Sequence, residues 1–224
     1  IPAEPVFDEN GAWKTVKVAL PGRDMSARIW KVAVGRTDLY LLDTDFEDNI
    51  AEDRQVTHQL YGGDWENRLK QELLLGIGGV RALRALGLNP TIYHYNEGHA
   101  AFAGIERLRE CLQGGKLNFA ESMEIIRASG LFTTHTPVPA GHDAFSEDMI
   151  GKYLGNQLAS IGIDWATLMS LGKINPDNRD EKFSMSVLAA NMSQNVNGVS
   201  MLHGAVSQEI FANIISSTSL ISLL

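Results

Sequence analysis

One cysteine, Cys111, is all that this sequence holds, so no internal disulfide can staple the fold, and a small secreted scaffold is excluded as a class. Cys111 falls in a helical apolar pattern, where a thiol normally acts as a packing residue. Basic runs are also missing. Nineteen Lys and Arg stand against 27 Asp and Glu, for a net charge of −8, which argues against a dominant nucleic-acid surface. No apolar run approaches the length of a membrane span, and no basic segment leading into an apolar one opens the chain. A cytoplasmic protein is expected, with neither nucleic acid nor membrane among its partners. No Gly-x-Ser-x-Gly elbow is present, which removes the simplest serine-hydrolase reading. Glycine is absent from the acidic run at 43–53 (Asp43, Asp45, Glu47, Asp48, Glu52, Asp53), and the acid spacing fits no calcium-loop template. That run reads as a solvated loop.

What remains is ordinary for a globular protein: 224 residues, 44% hydrophobic and 21% charged, enough for one substantial core or one large domain of a bigger protein. Alternating apolar residues predict strands at 14–20, 27–34 and 38–43, close enough in sequence for an antiparallel meander. Leu69, Leu73, Ile77, Val80 and Leu83 fall at helical intervals, so a long helix is expected over 65–86. Gly76, Gly78 and Gly79 interrupt it. Close packing against another backbone is their expected use, because a phosphate-cradling loop would sit between a strand and a helix rather than inside a periodic pattern. Beyond Gly87-Leu88-Asn89-Pro90, strands at 91–95, 130–134 and 195–199 alternate with helices at 97–113, 119–128, 148–160, 164–171, 183–193 and 201–212. Asn118 is the expected N-cap of the second of these helices. That alternation predicts an α/β fold with a mostly parallel sheet.

The chemistry gathers where the three later strands end. Thr91-Ile92-Tyr93-His94-Tyr95 turns polar at Asn96-Glu97-Gly98-His99. Leu131-Phe132-Thr133-Thr134 runs into His135-Thr136, and Asn195-Val196-Asn197-Gly198-Val199 leads towards His203. The carboxyl ends of parallel strands are where an open α/β sheet places its ligand, so the three ends are expected to converge on one crevice. The sequence has six histidines; His58 falls in a helical stretch, His94 points along its strand, and His142 follows Ala140-Gly141. A zinc site fits poorly, because His94 and His99 are five apart across a strand and a turn, whereas the zincin helix spaces its two His by four. Neutral imidazole, amide and carboxylate groups instead supply the paired donors and acceptors that sugar hydroxyls need. Asn96, Glu97, His99, His135, Thr136, Asn197 and His203 make up that kit.

Four blocks in order then carry a resemblance: Arg68-Leu69-Lys70-Gln71-Glu72, Asn96-Glu97-Gly98-His99-Ala100-Ala101-Phe102, Thr134-His135-Thr136, and Val196-Asn197-Gly198-Val199-Ser200-Met201-Leu202-His203. Together, over about 14–212, they resemble the glycogen (α-glucan) phosphorylase family. Tyr61-Gly62-Gly63-Asp64-Trp65 and the run from Thr136 to Asp143 look like its shorter bacterial and archaeal branch. The resemblance implies a GT-B arrangement of two Rossmann-like domains across a cleft. It also implies retaining transfer of the terminal glucose of an α-1,4-glucan to inorganic phosphate, giving glucose 1-phosphate, with pyridoxal phosphate as cofactor and no metal. His135 would be the catalytic-site residue, meeting the glucosyl unit through its carbonyl and imidazole. Asn96, Glu97 and His99 would line the cleft wall and hold His135 and the glucan path, with Thr136 beside them. Asp64 would belong to a gating loop, and Asn197 and His203 would brace the third strand end.

The family's cofactor lysine and its early glycine-rich loop have no counterpart here, so the chain reads as part of an N-terminal domain over 1–212, inactive by itself. The tail at 213–224 reads as truncated or non-native, and apolar surface left without its covering strands predicts self-association. A glucan-binding or interaction module, or one half of a nucleotide-sugar synthase, is the alternative.

Overall fold

The computed structural model describes residues 2–60, 62–136 and 142–199. The chain divides into two compact units, Ile1–Asn89 and Pro90–Leu224.

The first unit is built on an antiparallel sheet. Strands β1 (Glu4–Pro5), β2 (Thr15–Leu20) and β4 (Thr37–Asp43) all pair with the 12-residue β3 (Arg23–Val34). The expected meander is therefore present, with β3 starting four residues earlier than its apolar pattern suggests. The cause is the Pro21-Gly22 turn, where Leu20 already pairs with Arg23 and Gly22 takes a φ of 74°, which a side chain would resist. Val16, Val18 and Leu20 point inwards, as the period of two demands. Helix α1 (Ala51–Arg54) leads into a 3₁₀ turn at Gln55–Thr57. The predicted helix over 65–86 is continuous but not uniform: α2 (Trp65–Leu73), a π-turn at Leu74–Gly78, then α3 (Gly79–Ala85). A Cβ added at Gly78 would lie 3.2 Å from Val18 and 3.5 Å from Leu42, whereas Gly79 faces open space. With Leu74 Cδ1 nearer still at 3.1 Å, the close approach at Gly78 is to side chains of its own helix and of the sheet, not to another backbone.

The acidic run is only in part a solvated loop: Glu47, Asp48 and Glu52 are exposed, but the other acids are held. Asp43 pairs with Arg28 at 3.0 Å and Asp45 with Arg54 at 2.8 Å, while Asp53 is 1% exposed and takes both Nε and Nη2 of Arg23. Lys70, 3% exposed, reaches Asp53 at 3.4 Å and also pairs with Glu52. His58, expected inside a helix, follows the 3₁₀ turn and meets Asp45 at 3.0 Å. Burial alone would raise the Asp53 carboxyl, but Arg23 and Lys70 outweigh it and hold it below its ordinary value. A depressed carboxylate stabilises the fold fully above its unfolded value near 3.9, and that contribution fades as pH falls through the folded value. The melting temperature of the chain should therefore drop below about pH 4. Asp53→Asn should melt lower at neutral pH and show a shallower acid limb, which a pH series of thermal melts reads directly.

The second unit holds a parallel sheet ordered β5 (Tyr93–Asn96), β6 (Gly130–Thr134), β9 (Asn195–Gly198), so the three predicted strands are neighbours. Their inward residues Tyr95, Phe132 and Val196 are buried. So are Phe102, Ile105 and Leu108 of α4 (Phe102–Gln113), Ile126 of α5 (Phe119–Ala128) and Leu188 of α9 (Met185–Asn191). Asn118 caps α5 in a full capping box with Glu121, as its position predicted. Between β6 and α9 come β7 (Ala144–Phe145), α6 (Glu147–Leu154), α7 (Leu158–Ile161) and α8 (Trp165–Gly172). The helix expected over 183–193 is shorter, because Phe183–Ser184 forms β8 against β7 and only then does α9 begin. No helix among the described residues is long and apolar enough to cross a membrane. The expected helix over 201–212 lies outside the described residues.

Candidate functional site at the carboxyl ends of the parallel strands

Parallel register places Asn96 beside Thr133, and Thr133 beside Asn197. Side chains level with one another on adjacent strands share a face, so these three form a polar row at the end of the sheet. The row is hydrogen-bonded in one direction. The Thr133 hydroxyl donates to Asn197 Oδ1 at 2.6 Å, and His94 Nε2 lies 2.7 Å from the same hydroxyl oxygen. A hydroxyl has one proton, already given to Asn197, so His94 donates from Nε2. Neither His94 nor Thr133 stood out in the sequence as a site residue; only the strand register reveals them. Thr133 is 7% exposed. Thr133→Val removes both bonds at nearly constant volume and should lower unfolding free energy by about 2 kcal/mol, whereas Thr133→Ser should retain most of it. Urea denaturation of the two variants measures the difference.

Two residues past Thr133, the turn closes on His135. Asn96 Oδ1 holds the imidazole at Nε2, and Glu97 Oε1 accepts the His135 backbone N–H. The same Glu97 oxygen accepts the Thr136 hydroxyl at 3.1 Å. Because an amide oxygen only accepts, the His135 proton sits on Nε2, and Nδ1 is the ring's acceptor. The His135 residue is exposed. Asn96, Glu97, His135, Thr136 and Asn197 are therefore brought to one end of one sheet.

A second cluster supports the turn from beside it. His99 Nδ1 meets Asp143 Oδ2 at 3.0 Å, and the Asp143 carbonyl accepts Met185 N at 3.0 Å. His142 Nδ1 lies 2.7 Å from the buried Ser186 hydroxyl. A Cβ at Gly98 would stand 3.0 Å from the Met185 backbone and the Ser186 nitrogen, so glycine lets the turn rest on the start of α9. Asp143 and Ser186 were not legible as partners, since they lie 44 residues from the histidines they meet. Asp64, in the other unit, caps α2 by accepting Asn67 N at 2.9 Å. Tyr61, the segment 137–141 and His203 lie outside the described residues.

No protein-family model matches the chain. Comparison with curated proteins is more informative. The chain is 42% identical over 223 residues to the glycogen phosphorylase of Mycobacterium tuberculosis (strain ATCC 25618 / H37Rv), covering 94% of this chain and 26% of that protein. The chain has the sequence of a phosphorylase-family segment. It is also 40% identical to the maltodextrin phosphorylase of Thermococcus litoralis over 96% of this chain and 25% of that one. For the glycogen phosphorylase of Aquifex aeolicus the identity is 32%, over 95% of this chain and 30% of the relative. This phosphorylase segment thus spans about a quarter to a third of the length of the relatives it matches.

Proposed function

We propose that the chain forms one wall of the cleft of an α-1,4-glucan phosphorylase, lying over 1–212 within the N-terminal domain of a GT-B arrangement in a longer polypeptide. The observation that carries this reading is the grip of Asn96 and Glu97, at the end of β5, on His135 at the end of β6. The names of the relatives give the chemistry its substrate class. In this reading His135 presents its Nδ1 acceptor to a hydroxyl of the terminal glucosyl unit, while Asn96 fixes the tautomer that makes Nδ1 the acceptor. Thr136, His99 and Asn197 frame the same strand ends. Inorganic phosphate is the acceptor and glucose 1-phosphate the product.

Pyridoxal phosphate would supply a phosphate group for proton exchange with the substrate phosphate. The residues of this chain do not fit its anchor. Both buried lysines are already committed to carboxylates, Lys70 to Glu52 and Asp53 and Lys173 to Glu147 at 2.7 Å, so neither amine is presented to a cofactor. The anchor is therefore assigned to a part of the polypeptide outside this chain, and the segment alone is expected to be inactive. The test is phosphate-dependent release of glucose 1-phosphate from maltoheptaose. The complete polypeptide should release it and the purified 224-residue chain should not. Product from the chain alone, or none from the complete polypeptide, would overturn the reading.

A further inference from the structure

Side chains of consecutive strand residues point to opposite faces, so Asn96 and Glu97 should not reach the same target. Both nevertheless reach 135–136. The backbone of Glu97 explains how: its φ is 68° and its ψ 177°, a corner of conformational space that is essentially reserved for glycine. Among the described residues Glu97 alone, glycines aside, has a positive φ. The turn does contain a glycine, but at Gly98, where the demand is for space rather than for an unusual φ. The strained position is thus given to a glutamate, one residue before a glycine that would have adopted it without strain. Glu97 N still donates to Thr133 O at 2.9 Å, so the ladder continues into the turn and the twist is confined to one residue.

The carboxylate repays that strain with two bonds from a single oxygen. Oε1 takes the N–H that precedes the His135 side chain and the hydroxyl of Thr136 that follows it. Charge-assisted bonds of this kind are about twice as strong as neutral ones. They bracket His135 on both sides while Asn96 holds its ring, so main chain and imidazole are fixed by two adjacent residues.

We propose that Glu97 is a positioning residue, not a glucan contact: its strained backbone aims one carboxylate oxygen at the donors flanking His135 and thereby sets the His135 main chain and ring against the sugar. The role rests on the phosphorylase reading only where activity is measured, and two experiments separate the two.

The first uses the 224-residue chain and amide hydrogen exchange by NMR. Glu97→Gly removes the carboxylate without adding strain, so the fold should survive. The His135 amide should exchange at least about 10-fold faster, which is the loss of one protecting hydrogen bond of ordinary strength. The amides within β6 should be unchanged. Glu97→Gln keeps an acceptor oxygen at the same place and should restore most of the protection. The second experiment uses the complete polypeptide with maltoheptaose and phosphate. Glu97→Gly should lower kcat about 10²-fold, as for a misplaced reacting group, with KM for the glucan within about twofold, and Glu97→Gln should recover most of the rate. Unchanged His135 exchange, or a raised KM with kcat intact, would overturn the positioning role. A wild-type polypeptide without phosphorolysis would sink the functional reading, while the exchange experiment would still decide what Glu97 does.

Discussion

Alanine at Gly130 is expected to destabilise the chain by about 3 kcal/mol, the upper end of the usual range for overpacking. Gly130 opens β6, and a Cβ built there would stand 2.4 Å from the carbonyl oxygen of Met192 and 3.0 Å from Ser193 Cα. Both are backbone atoms, so no rotamer change can make room. Met192 closes α9 and is fully buried, and Gln194 N is bonded to Arg127 O, so the passage from α9 into β9 is held on the other side as well. Strand β6 is the middle strand of the parallel sheet and ends at the site, so displacing its start carries through to Thr133 and His135. Gly79→Ala is the control. It lies in a helix and faces open space, so alanine there should raise stability by about 1 kcal/mol. Urea denaturation of both variants gives the comparison; equal effects would mean that the close approach at Gly130 is wrong.

Replacing His135 with alanine in the complete polypeptide should lower kcat/KM for phosphorolysis about 10²-fold, the scale seen when one directed hydrogen-bonding group is removed from a reacting centre. The exposed imidazole contributes little to the core, so the melting temperature should stay within a few degrees. Asn96→Ala should be milder, because the ring remains and only its tautomer and orientation are released. Asn96→Asp keeps an acceptor facing Nε2 and should be milder still. An Asn96 variant as damaging as His135→Ala would mean that Asn96 itself meets the substrate.

Much of this was readable from local pattern. Strands β5, β6 and β9 fall within two residues of their predicted bounds because their apolar runs are short and end in polar turns. Helix α5 was legible down to its cap, since Asn118 and Glu121 are three residues apart and need nothing distant. Long-range geometry was hidden. Asp53 looked solvated because its partners Arg23 and Lys70 lie 30 and 17 residues away. Strand β8 has only two residues, too few to show a period, and exists because β7 offers it an edge. Asn96 and His135 stood out by residue type, yet the row through His94 and Thr133 required the register between strands. The strained φ of Glu97 could not be inferred, because no local rule places a glutamate where glycine is favoured.

The most direct test of the account is a crystal structure of the complete polypeptide with a bound maltooligosaccharide. A hydroxyl of the terminal glucosyl unit should lie within hydrogen-bonding distance, about 3 Å, of His135 Nδ1, with Asn96 still on Nε2 and the Glu97 carboxylate still on the His135 and Thr136 donors. A sugar bound away from the ends of β5 and β6, or one gripped directly by Glu97, would contradict it.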